Sequence, residues 1–332
     1  MAQVIDGVRV EIDDRVRLMS ALLAMTSWPE DEQTRKPHGT HAHARGTRRF
    51  LLAQAKHPAV LILQALLDRG VPLSAIYGYI MMLSWPGLAG EDLPNWAPPT
   101  WPRHLLDFYS KSELIQWWNN EKAVWNSSET QALKMFNGTD LRGFLKPFVG
   151  AFEDDLLFVP NVCYPSDQEI GIAIPGQLCC VVPPRIAWGD NPPWPFDEDP
   201  THIFRAALLQ YGLLLMKRYL HAHEDVLTAA SQKKLPIGRQ LTAAYPTWEE
   251  QFLALFGAGL VAIYLEDAVN TQEAEAYVLM EKKAQGLTEL PGVVSVLRRY
   301  LQGYEEGKYA EFADFLPHFG KHLRVAKTIT AL

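Results

Sequence analysis

Leu156-Leu157-Phe158-Val159-Pro160-Asn161-Val162-Cys163, Glu169-Ile170-Gly171-Ile172-Ala173-Ile174 and Leu178-Cys179-Cys180-Val181-Val182 set the fold class. These are short apolar runs rich in β-branched residues, and Pro165-Ser166-Asp167 and Pro175-Gly176 separate them with turn chemistry. Strands joined this closely predict a small antiparallel sheet. Elsewhere the chain reads almost entirely as helix, so the expected class is α+β and mostly helical.

Upstream of these strands, residues 4–12 alternate apolar and polar positions as a half-buried strand does. Asp13 or Asp14 then caps a helix that carries Val16, Met19, Leu22 and Leu23. Residues 27–45 are polar, with Pro29, Pro37, Gly39, His38, His41 and His43, and predict a long exposed loop. Pro58 suits a helix start, residues 59–69 follow helical spacing and Gly70 can close them, and 72–83 supply another helix. The proline-rich 86–102 reads as a loop, and helical periodicity resumes over 104–109, 112–136 and 140–149. Trp117, Trp118 and Trp125 are expected in the core, since tryptophan is highly buried on average.

Beyond the strand cluster, the proline-rich 183–200 predicts a loop. Residues 201–219 are apolar on nearly every side and predict a buried helix, followed by helices over 247–267, 271–285, 293–304 and 308–315. The expected division is a mainly helical region over 1–150 and a sheet-plus-helix region over 151–332, or one continuous domain.

Composition narrows the function classes. Of 332 residues 48% are hydrophobic, which supports a sizeable core. A net charge of −7 removes the attraction on which sequence-independent nucleic-acid binders depend, so nucleic acid is not an expected partner. Gln210 interrupts the apolar stretch 206–216, Gly257 and Gly259 interrupt 252–265, and both fall short of the ~20 residues of a bilayer span. No membrane partner is expected. Met1-Ala2-Gln3-Val4-Ile5-Asp6 reads as strand rather than secretory signal, and Cys163, Cys179 and Cys180 make no disulfide framework. A cytoplasmic setting is expected.

Neither a glycine-rich phosphate loop, a G-x-S-x-G elbow nor a C-x-x-C pair is present, which leaves histidines and carboxylates. His38, His41 and His43 could converge on a metal, but a solvated loop beside Arg45, Arg48 and Arg49 is the favoured reading. His221, His223 and Glu224 follow the buried helix, where the helix dipole already accounts for histidine. His318 and His322 form an H-x-x-x-H whose second position is Phe319 rather than a glutamate base. Thr247 and Glu250 fit a capping box, and Glu249 shares a helical stripe with Leu253, Phe256 and Leu260. Cys179 and Cys180 should point to opposite faces of their strand.

Val10-Glu11-Ile12-Asp13-Asp14-Arg15-Val16-Arg17-Leu18-Met19, Lys56-His57-Pro58-Ala59-Val60 with Gly70-Val71, Leu83-Ser84-Trp85-Pro86 and Leu105-Leu106-Asp107-Phe108-Tyr109 carry a resemblance. With the strand cluster, the buried helix and Thr247-Trp248-Glu249-Glu250, the order of segments resembles an uncharacterised bacterial family of zincin-like proteins, related to the gluzincin metallopeptidases. It runs over residues 4–265 and implies a zincin-like fold.

The resemblance also implies that the buried helix carries H-E-x-x-H and that a later helix gives a glutamate as third zinc ligand. If His202 matches the first histidine, Ile203 stands where the catalytic glutamate belongs and Ala206 where the second histidine does. Glu249 or Glu250 would match the third ligand. The expected protein is therefore one that has lost its zinc site and acts by binding or as a structural partner to an unidentified protein, with no cofactor. The enzymatic alternative is a hydrolase holding zinc through His202, His221, His223, Glu249 and Glu250. A third reading is a helical interaction module with Trp85-Pro86, Trp101-Pro102 and Trp194-Pro195 as contact points.

Overall fold

The computed structural model describes residues 3–5, 7–35, 41–91, 93–187 and 191–323. Strands β1 (Gln3–Ile5) and β2 (Val8–Val10) precede helices α1 (Asp14–Leu23), α2 (Trp28–Arg35), α3 (Ala42–Phe50), α4 (Pro58–Asp68), α5 (Leu73–Met81), α6 (Trp101–Lys111), α7 (Leu114–Asn120) and α8 (Lys122–Phe136). Helix α9 (Leu141–Val149) leads into β3 (Asp155–Pro160), β4 (Ile170–Ile174) and β5 (Gln177–Val182). Then come α10 (Pro200–Ala222), α11 (Glu224–Ser231), α12 (Arg239–Ala244), α13 (Trp248–Ala268), α14 (Thr271–Ala284), α15 (Leu290–Glu305) and α16 (Phe312–His322). The α+β, mostly helical class holds.

The sheet is not antiparallel. Among the described residues it has five strands in the order β1-β2-β3-β5-β4, with β3 parallel to both β2 and β5 and antiparallel pairs only at the two margins. Burial gives the reason. Strands β3 and β5 are buried at every position after their first, as central parallel strands are, whereas β4 alternates and so belongs at an edge. Pro175-Gly176 does make the expected hairpin between β4 and β5, with Gly176 at φ 74° in the position where a type II turn needs a positive angle. The single strand expected over residues 4–12 is two strands, folded back at Gly7 with φ 83°.

The chain divides into two compact units, Met1–Gly138 with Asp154–Ile203 and Thr139–Glu153 with Phe204–Leu332. The sheet therefore groups with the N-terminal helices rather than with the C-terminal ones, unlike the division at 150/151. The reason lies in β2, which adds the N-terminal segment to β3 through the register Val8↔Leu156 and Val10↔Phe158.

In the first unit Leu157, Val159, Cys179 and Val181 turn one sheet face onto a core with Leu22, Leu63, Ile76, Ile80 and Trp101. From the alternate position on β3, Phe158 meets Phe136 and Phe196. Asp13 caps α1, accepting from Arg15 N at 2.8 Å, and Arg15 donates onward to Met81 O at 2.8 Å. The described residues of 27–45 are largely helical, in α2 and α3, rather than a solvated loop, and His43 is only 3% exposed. Sequence periodicity does not reveal the buried face of α3, because that face is made of His43, Ala44 and Thr47.

In the second unit α13 is the central helix. It is long and apolar enough to span a membrane by length and composition, and 72% of that window is buried inside the fold. Gly257 and Gly259 permit close packing on α13: a Cβ at Gly257 would lie 2.9 Å from Leu209, and one at Gly259 2.7 Å from Val293. Phe148, Phe252, Phe256, Tyr300 and Phe312 interlock around it. Helices α11 and α12 fall outside the segments predicted to be helical, and the last described helix begins at Phe312 rather than at 308.

Candidate binding pocket

The positions that would hold zinc by resemblance are engaged in caps, pairs and core. His202 Nε2 donates to Pro183 O at 2.8 Å, and its backbone N–H donates to Asp199 Oδ1 at 3.0 Å. Ile203 and Ala206 are both fully buried. Glu250 closes the capping box of α13, accepting from Thr247 N at 2.9 Å, and its bonds to Thr247 hold its carboxyl below the ordinary carboxylate pKa. Glu249 instead pairs with His221, Oε1 to Nε2 at 3.2 Å. His223 pairs with Glu311 at 3.3 Å through Nε2, while its Nδ1 donates to Tyr219 O at 2.9 Å. His221, His223, Glu249 and Glu250 belong to the second unit and His202 to the first. Of these candidates, His221 and Glu249 are brought together by a side-chain contact. The H-x-x-x-H histidine His322 accepts from Arg299 Nη1 at 3.0 Å through Nδ1. Among the described residues no three His, Cys, Asp or Glu side chains cluster as metal ligands, and the donor set does not fit the zinc that the resemblance implies.

The loop histidines have a different fate. His38 lies outside the described residues. His41 caps α3, its Nδ1 accepting from His43 N at 3.0 Å. Burial drives the pKa of His41 down to about 4, so its ring is neutral near pH 7. His43 sits in a polar lattice: Trp125 Nε1 donates to its Nε2 at 3.0 Å, which places its proton on Nδ1, 3.1 Å from Glu121. Thr47 lies 3.3 Å from the same Nε2 and accepts from Trp117 at 2.9 Å. Burial is the main cause lowering the His43 pKa. Arg17 lies over the rings of Trp118 and Trp125 at 4.1 and 4.8 Å.

Beside this lattice, in the first unit, lies a pocket of about 400 Å³. One wall comes from α8 through Ala123, Val124, Ser127, Ser128 and Gln131, and the other from Pro184, Pro193, Trp194, Pro195 and Phe196, with His41 and Val162 completing it. The proline loop is fixed against α8, since Gln131 Oε1 accepts from Phe196 N at 3.1 Å and Lys134 pairs with Asp197 at 2.9 Å. Trp194 N donates to Arg185 O at 2.9 Å and leaves its side chain 48% exposed. Of the three Trp-Pro segments, Trp101 is fully buried, Trp85 is half-buried, and Trp194 stands open at a pocket. The sequence flags Trp194-Pro195 but gives no sign of Gln131, whose role depends on a loop residue 65 positions away. No family model, no curated protein and no solved structure matches this chain.

Proposed function

We propose that this chain is a binding protein, zincin-like in the order of its segments but without metallopeptidase chemistry, and that its ligand enters the Trp194 pocket. The observation behind this reading is the half-exposed Trp194 ring, held beside a cavity of about 400 Å³ in a loop bonded to α8. Concave, mostly apolar sites with a few placed polar groups are where small ligands bind. Displacing water from an exposed indole stabilises a complex without any movement of the fold. The employment of His202, Ile203, Ala206 and Glu250 in caps and core supports the loss of peptidase function. A cytoplasmic compartment, in which the buried thiols of Cys163, Cys179 and Cys180 would stay reduced, belongs to the same proposal.

The test is a thermal-shift screen of a small-molecule and peptide library against wild type and Trp194→Ala. A ligand at a hundred times its Kd stabilises the folded state by about 2.7 kcal/mol. Compounds that raise the melting temperature of wild type but not of the variant are expected. A screen whose hits all act equally on both proteins overturns the assignment of the pocket.

A further inference from the structure

The chemistry left open in the Trp194 pocket defines what it can hold. Among the described residues lining it, none carries a charged side chain near pH 7. His41 Nδ1 accepts a backbone N–H, so the neutral ring carries its proton on Nε2. Gln131 uses Oε1 for Phe196 N and one Nε2 proton for Ser127 Oγ at 3.0 Å, leaving its second N–H. Ser127, having accepted that bond, keeps its own O–H to give. Ser128 donates to Trp125 O at 2.7 Å and is already engaged. The donors still free are therefore the His41 Nε2–H, the Ser127 O–H and the second Gln131 N–H, set against the Trp194 ring and the flanking prolines.

We propose that the pocket takes an uncharged, flat, ring-bearing molecule that presents a carbonyl or ether oxygen, a proposal that rests on the pocket being a binding site. The ring lies against Trp194, and the oxygen accepts from His41, Ser127 or Gln131. A cationic ligand would find no carboxylate in the described lining, and the remaining donors oppose it. An anionic one would lose its hydration against apolar walls with no counter-charge among those residues, in a chain whose net charge is −7.

The experiment uses 6-propionyl-2-(dimethylamino)naphthalene, an uncharged ring ketone whose emission responds to polarity and to hydrogen-bond donors. Competitors are the same ring with a carboxylate in place of the ketone and the same ring with the amine quaternised. The expected result is saturable binding of the ketone, at least about tenfold tighter than either charged analogue. That binding should be lost in Trp194→Ala, which keeps the wild-type melting temperature, and weakened in Ser127→Ala. If the carboxylate or the quaternary amine binds as tightly as the ketone, and Trp194→Ala abolishes this, the charge rule is overturned while the pocket stands. If no probe depends on Trp194, the pocket assignment itself fails and the inference falls with it.

Discussion

Writing the peptidase motif into α10 should damage the fold rather than create an enzyme. The double variant Ile203→Glu with Ala206→His writes His-Glu-x-x-His over residues 202–206. Ile203 is fully buried, so removing its side chain forfeits about 2–3 kcal/mol of apolar burial. A carboxyl in its place enters a fully buried site, at roughly 1–3 kcal/mol even when it stays protonated. Ala206 is also fully buried, and an imidazole there overpacks the core by about 1–3 kcal/mol. The two positions lie one helical turn apart and will not add cleanly, so a total of about 5 kcal/mol is expected. Thermal denaturation followed by circular dichroism should show a fall of roughly 10–20 °C. Zinc titration of the variant should show no stoichiometric site. A variant that melts with wild type and binds one zinc would mean instead that these positions can present ligands rather than fill the core.

Buried groups and tight packing supply further tests. His41 has a folded pKa of about 4 against an ordinary value of 6.5, so the unfolded chain binds the proton more readily. Its stabilising contribution is thus complete above pH 6.5 and is lost as pH falls toward 4, on the order of 2 kcal/mol after allowance for partial exposure. His41→Asn, which keeps a capping acceptor, should flatten the decline in melting temperature between about pH 7 and pH 4.5; an unchanged profile would remove His41 as its source. The Cys163 thiol is pushed up to about 12 by burial and Cys179 is raised for the same reason, while Cys180 is fully buried. Native protein should therefore leave Ellman's reagent unreacted at pH 8 and release three thiols only in denaturant; fast reaction without denaturant would show that the strands open. Gly259→Ala gains about 1 kcal/mol of helix propensity, but its Cβ would lie 2.7 Å from Val293 and 2.8 Å from Leu297. Overpacking of about 1–3 kcal/mol should win, and a higher melting temperature would show that α15 yields easily.

Much of the helical architecture is legible in the sequence because its signals are local. Asp13, Pro58 and Thr247 start helices where capping chemistry places them. The turn at Pro175-Gly176 is legible for the same reason. Sheet order is not, since the choice of β2 as a neighbour of β3 sets Val8 beside Leu156, far along the chain, and leaves no local mark. Yet the continuous apolar runs of β3 and β5 against the alternation of β4 do carry the information for a mixed sheet. At the site, Trp194-Pro195 can be named from sequence, but its exposure cannot, because Trp101-Pro102 has the same local chemistry and Trp101 is buried. The burial of His43 escapes a sequence reading because its partners, Glu121 and Trp125, lie 78 and 82 residues away.

Elemental analysis tests directly whether this chain holds a zinc site, as a zinc hydrolase requires and the proposed binding protein does not. Untagged protein, purified without chelator, is incubated with zinc, freed of excess metal and melted before and after chelation. No stoichiometric zinc and an unchanged melting temperature on chelation are expected, since bound metal would contribute to folding free energy. Near-stoichiometric zinc whose removal lowers the melting temperature would contradict the proposed loss of a zinc site.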